Sequence, residues 1–238
     1  MDMEEGLNVI QFQNKRTGST FLQTALNTHP DLVGLDEVFV NVARQDVRKS
    51  GFIPYMISGY DKPDDYIKNI WGKYPNSHVA FKLMYNQIDY HKGLLEFIKE
   101  SKIPIIHLKR RNLLKQAISY FRQTNAMPIN YNVLFDYVVM YEQEAKKWTE
   151  EFEDHNILEF FYEDIIGENK DEFTYLSEYA NMQICNFFDV PNIPMFSDTT
   201  KKRVKPIWEY IPDKQGAIKK FKDTKYDWML YENKSKEG

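Results

Sequence analysis

Six consecutive residues, Lys15-Arg16-Thr17-Gly18-Ser19-Thr20, bring together two cations, a glycine and three hydroxyls. They follow a short apolar run (Val9, Ile10, Phe12) that reads as a buried strand, and they open a helical segment, Ser19 to Leu26. Gly18 lets the chain turn tightly, Ser19 and Thr20 can cap the new helix, and the unpaired N–H groups of its first turn face the loop. With Lys15 and Arg16 beside them, these groups make a cradle for phosphate or sulfate. The plainer reading is an ordinary strand-to-helix turn with two solvated cations, and a single short motif is weak evidence against it. The loop is not the GxxxxGK[ST] nucleotide loop. Gln13 stands where its first Gly belongs and no Lys follows Gly18, so the usual clamp on a metal-bridged triphosphate is missing.

A second cationic group follows Ile103 to Leu108, a run that reads as a fully buried strand. Lys109-Arg110-Arg111-Asn112 leads into a helix; Arg111 at the strand exit and Ser119 two helical turns on can converge on one anion if the turn folds back. The alternative is a basic strand end and a Ser facing solvent. Lys82 interrupts another apolar strand, His78 to Tyr85. A buried Lys needs a partner or an anion, whereas one at a strand end can snorkel into solvent. Asp36 and Glu37 fall in Asp31 to Val40, expected to be a loop or short helix. Late in the chain, Asp198 to Lys205 is a basic stretch whose Lys202 and Arg203 are further candidates, although such runs are usually solvated.

Arg16-Thr17-Gly18-Ser19-Thr20, followed by Leu22, Leu26, His29-Pro30 and Glu37-Val38-Phe39, resembles the 5′-phosphosulfate-binding loop and acceptor loop of sulfotransferases that use 3′-phosphoadenosine 5′-phosphosulfate (PAPS). Arg111 with Ser119-Tyr120 resembles the second PAPS signature, whose Arg and Ser hold the 3′-phosphate, though Leu113 replaces the Pro often found there. Tyr162-Glu163-Asp164-Ile165 is similar to a phrase at the same point in many members; its carboxylates are expected to cap the next helix. No motif covers Asn41 to Trp71, where acceptor specificity is expected.

The resemblance implies transfer of a sulfuryl group from PAPS to a hydroxyl or amine of a glycan, lipid-linked sugar or small metabolite, with PAP as product and no metal. It implies Lys15, Arg16, Thr17, Gly18, Ser19, Thr20, Arg111, Ser119, Lys202 and Arg203 as nucleotide ligands. Arg16 and Lys82 would neutralise charge at the sulfonate, and Glu37, which matches the Glu of carbohydrate and tyrosine sulfotransferases, would be the base. The His base of the small-phenol enzymes has no counterpart; Asp36 is the neighbour able to replace Glu37. Two rival readings keep the scaffold: a kinase-like enzyme using another nucleotide, and a non-catalytic adenosine-phosphate-binding module.

These residues need a scaffold of strands ending at one edge. Four apolar runs alternate with helical stripes, among them Leu134, Val138, Tyr141, Ala145, Trp148 and Phe152. The expectation is α/β: a P-loop-like three-layer sandwich with a mostly parallel sheet of four or five strands flanked by helices. One domain is expected over 1–238, with an irregular acceptor-side excursion at about 40–75 and a C-terminal basic loop and closing helix at about 197–230. Its 42% hydrophobic and 15% aromatic content excludes a disordered chain, and 31 Lys+Arg against 35 Asp+Glu does not suggest a nucleic-acid partner. The lone Cys185 excludes an internal disulfide and fits a reducing compartment, and the five histidines lack metal-ligand spacing. The acidic N-terminus has no signal-peptide pattern and no run is long enough for a membrane span, so the expected protein is cytoplasmic, a monomer or weak homo-oligomer acting on a small-molecule or carbohydrate acceptor.

Overall fold

Strand β1 (Asn8–Gln13) is apolar on both faces, with Ile10 and Phe12 packed into one helical layer and Val9 into the other. That is the pattern of a strand covered on both sides. The computed structural model describes residues 6–40, 53–124, 128–198 and 206–231. In chain order, β1 is followed by α1 (Ser19–Leu26), β2 (Leu32–Glu37), α2 (Pro63–Trp71), β3 (His78–Met84), α3 (Tyr85–Tyr90) and α4 (Leu94–Ser101). Next come β4 (Ile105–Lys109), α5 (Leu113–Gln123), α6 (Tyr131–Glu151), β5 (Ile157–Phe161) and the single turn α7 (Tyr162–Ile165). The remainder holds β6 (Ile166–Lys170), β7 (Phe173–Leu176), α8 (Glu178–Phe188), β8 (Phe196–Ser197) and α9 (Lys214–Phe221).

Strands β1 to β5 form one parallel sheet in the order β2-β3-β1-β4-β5, so the α/β expectation is borne out with five strands. The chain leaves β1 toward β2 and leaves β4 toward β5, so the direction of winding reverses between β1 and β4. Ligands of such sheets bind outside the strand C-termini at that point. Residues 14–18 after β1 and 110–112 after β4 flank it. One face is covered by α2, α4 and α6, where Phe12 stands edge-on to Trp148 and Phe152 at 5.4 and 5.3 Å. The other face is covered by α1 and α8, and a third cluster joins α5, α6 and α9. Among the described residues no helix is long and apolar enough to cross a membrane.

Several expectations are corrected. Asp31 to Val40 is largely strand: β2 pairs in parallel with β3, with a register shift between Leu35 and Glu37. Phe173 to Leu176 is β7 of a small antiparallel sheet, β6-β7-β8, and only α8 beyond it is helical. The closing segment is α9 between two short 3-10 turns, Ile207–Glu209 and Asp227–Leu230. Glu163 and Asp164 do not cap the following helix: Glu163 accepts the backbone N–H groups of Arg111 and Asn112, and Asp164 binds the Arg111 side chain. Residues 41–52 of the irregular excursion lie outside the described residues, as do Lys202 and Arg203.

Candidate active site

The loop after β1 is held from behind by three side chains. Glu144 on α6 accepts from Asn14 Nδ2 at 2.5 Å, Gln116 on α5 donates to the Lys15 carbonyl at 2.8 Å, and Arg110 donates to the Arg16 carbonyl at 3.1 Å. Asn14 in turn accepts the Lys15 N–H through its side chain and the Thr17 hydroxyl through its carbonyl. This clamp sustains a left-handed Arg16 (φ 65°), a conformation that costs a residue with a Cβ roughly 1–2 kcal/mol. Gly18 follows at φ 87° as the N-cap of α1, and a Cβ there would collide with the Tyr162 ring. Ser19 and Thr20 therefore do not cap: both lie inside α1, which has no side-chain cap, and the N–H groups of its first turn point into the loop. Thr17 and Ser19 are buried, and Thr20 is exposed.

The Arg16 side chain leaves the loop for α5, where its Nε donates to Ser119 Oγ at 2.9 Å and its Nη1 approaches Gln123 Oε1 at 3.4 Å. Burial lowers the Arg16 pKa, and the nearby Arg122 cation lowers it further. Arg111, the expected partner of Ser119, is instead gripped by Asp164 in a two-point ion pair of 2.5 and 2.6 Å and lies over the Phe161 ring. Lys15 extends over Tyr120, its Nζ 5.8 Å from the ring centroid.

On the other side of the loop, β3 lies between β1 and β2, and Lys82 is in register with Gln11 on one and Glu37 on the other. Lys82 is only 3% exposed, so it does not snorkel into solvent; its Nζ meets Asp36 Oδ1 at 2.5 Å. Asp36 is thus committed to Lys82, which leaves Glu37 as the carboxylate without a cation in direct contact among the described residues. Glu37 Oε2 accepts from Gln87 Nε2 at 2.9 Å, while Gln87 Oε1 accepts the Met84 N–H, fixing the amide. Burial pushes the Glu37 carboxyl above the ordinary carboxylate range; Lys82 opposes this, Asp36 adds to it, and Gln87 and Lys15 also oppose it.

The structure therefore gathers Lys15, Arg16, Gly18, Ser19, Thr20, Lys82, Glu37 and Ser119 at the C-terminal edge of the sheet, with Arg111 beside them but turned to Asp164. Asn14, Gln87, Arg110, Gln116, Arg122 and Glu144 were not read as site residues. Arg122 had a signal, since it stands one helical turn after Ser119; the pairings of Gln87 and Glu144 join residues too distant in the chain to be seen. A cavity of about 630 Å³ lies behind the loop, lined by Asn14, Thr17, Gln116, Tyr141, Phe161 and Trp228 among others; Arg16, Glu37, Lys82 and Ser119 do not line it.

No family model and no curated protein sequence matches the chain. Its structure is similar to the crystal structure of a sulfotransferase from Alicyclobacillus acidocaldarius, with a TM-score of 0.53 and 15% identity over 85% of this chain and 88% of that one. The sulfotransferase domain of the Synechococcus PCC 7002 olefin synthase is matched at 15% identity over 80% of this chain and 76% of that domain, with a TM-score of 0.43. The resemblance seen in the sequence is borne out at the level of architecture: the five-stranded parallel sheet between helical layers has the fold of the Alicyclobacillus sulfotransferase.

Proposed function

We propose that the protein is a PAPS-dependent sulfotransferase, a single domain that moves a sulfuryl group to a hydroxyl or amine of a glycan, lipid-linked sugar or small metabolite. The observation that carries this reading is the register at Lys82, which sets a cation between the strand feeding the anion loop and the strand ending in Glu37. Adjacent strands are about 4.8 Å apart, so the donor loop and the base, separated by β3, stand roughly 10 Å apart at the backbone, a gap that their side chains and a sulfonate can span. The α1 N-terminus and the loop hold the 5′-phosphate, with Lys15 and Arg16 adding charge. Ser119 takes the second phosphate, to which Lys202 and Arg203 would add charge.

In the reaction the acceptor oxygen or nitrogen forms a bond to sulfur while the bond from sulfur to the bridging oxygen breaks, and PAP departs with that electron pair. Arg16 stabilises charge developing on the departing phosphate, in the way preorganised cations act in phosphoryl transfer. Glu37 receives the acceptor proton; its raised pKa brings it closer to the range in which a carboxylate works as a base. Lys82 pairs with Asp36 beside it and contributes field to the sulfonate. Incubation with PAPS and a mixed metabolite and glycan extract is expected to yield products heavier by one SO₃, detected by mass spectrometry. Absence of any such product, together with no rise in melting temperature at millimolar PAP, would reject the reading.

A further inference from the structure

Resting on the sulfotransferase reading above, we propose that Gln87 is a positioning residue for the transfer: its amide takes Oε2 of the Glu37 carboxylate and leaves Oε1 to receive the acceptor proton. Strand β3 runs into α3 without a loop, since Met84 ends one and Tyr85 begins the other, so the first turn of α3, with Gln87, is tied to the sheet. Gln87 is buried, and its amide is used at both ends. Its Oε1 accepts the Met84 N–H at 2.9 Å and its Nε2 donates to Glu37 Oε2 at 2.9 Å. Turning the amide over would set its NH₂ group against the Met84 N–H and its oxygen against the carboxylate, so both neighbours fix its orientation. Among the described residues no hydrogen bond engages Glu37 Oε1.

Glu37 needs such a partner. It ends β2 at the register shift that follows Leu35, so regular pairing with β3 does not by itself aim its side chain. The groups that act on it come from four elements: Asp36 on its own strand, Lys82 on β3, Lys15 on the loop after β1 and Gln87 on α3. Asp36 disfavours a second negative charge there and the two lysines favour it, but Lys82 is held by Asp36 at 2.5 Å. A hydrogen bond donated to a carboxylate stabilises its ionised form, which is the form that works as a base. Gln87 supplies that bond without a charge of its own, so it opposes the burial that would protonate Glu37 and still leaves the second oxygen for a proton. This contact is separate from the one to the backbone, because the Met84 N–H needs only the amide oxygen.

NMR titration of the whole chain, isotopically labelled at the glutamate side-chain carboxyl carbons, reports Glu37 directly, its signal identified by its disappearance in Glu37→Gln. Gln87→Glu keeps an oxygen for the Met84 N–H but loses the donor and sets a second carboxyl against Glu37; Gln87→Met keeps the length and loses both bonds. Glu37 is expected to titrate at a pH higher by about 1 in Gln87→Met, and by more in Gln87→Glu, where two carboxyls share a proton. The acid limb of kcat/KM for PAPS, with the mixed extract as acceptor, is expected to move to higher pH by the same amount, with PAP affinity unchanged. A purely structural Gln87 would instead lower the rate by one factor at every pH. An unmoved Glu37 titration in both variants, or a rate loss with no displacement of the acid limb, overturns the assignment and leaves the sulfotransferase reading standing. A wild type that neither binds PAP nor forms a sulfated product overturns both.

Discussion

Arg16 Nε donates to Ser119 Oγ at 2.9 Å although 103 residues separate them. The loop after β1 and the helix after β4 therefore meet at the point where the sheet reverses its winding. Residues sharing a ligand couple energetically. Arg16→Ala and Ser119→Ala are each expected to weaken PAP binding by about tenfold, and the double variant by less than the product of the two. Titration calorimetry on the four proteins checks this; strict additivity would mean that the two side chains serve separate anions.

Glu37 should reveal itself through pH. As a base it must be ionised, so kcat/KM is expected to fall as pH drops through a pKa above the ordinary carboxylate range. Its effect on stability has the opposite sense. A carboxyl whose pKa is raised by folding favours the native state below its unfolded pKa, and that contribution is lost as pH rises through the folded value. Glu37→Gln, whose amide oxygen can still accept from Gln87, is therefore expected to melt higher than wild type at pH 7 and to lose that advantage near pH 4. A melting temperature at pH 7 below that of wild type would contradict the buried-carboxylate account.

Much of this was legible in the sequence. The loop 14–18, the strands β1, β3, β4 and β5, and α1 were marked by apolar runs meeting glycine and hydroxyl residues, signals that act over a few residues. Strand β2 was missed because Gly34, Asp36 and Glu37 break its apolar pattern, and its pairing with β3 is what holds it extended. The short strands β6 to β8 carry no periodicity long enough to read. The engagement of Arg111 by Asp164 depends on tertiary contact across 53 residues, so helical spacing alone pointed it at Ser119.

Lys82 is buried against Asp36, which remains 42% exposed. Lys82→Met removes the buried ammonium and leaves a carboxylate that water can reach, so the stability loss is expected to be about 1–3 kcal/mol, less than for a fully buried pair. Turnover is expected to fall at least about a hundredfold, the scale of losing one donor to a developing oxyanion. Denaturant melts beside initial rates separate the two effects. Turnover that falls only in proportion to the folded fraction would assign Lys82 a purely structural part.

Glu144 accepts from Asn14 of the loop at 2.5 Å. Glu144→Ala removes that acceptor and frees Asn14, whose own bonds to Lys15 and Thr17 shape the loop. PAP affinity is expected to drop about tenfold in Glu144→Ala and to be retained in Glu144→Gln, which still offers an oxygen to Asn14. Equal affinities in all three proteins would show that the loop keeps its shape without this clamp.

The most direct test compares wild type and Glu37→Gln, each first titrated with PAP by calorimetry, for transfer of labelled sulfuryl from PAPS to acceptor in separate PAP-free samples. The account expects equal PAP affinity and a loss of turnover of about a hundredfold or more in the variant. Equal turnover in the two proteins, or a variant that no longer binds PAP, would contradict a site built from one anion pocket and a separate carboxylate base.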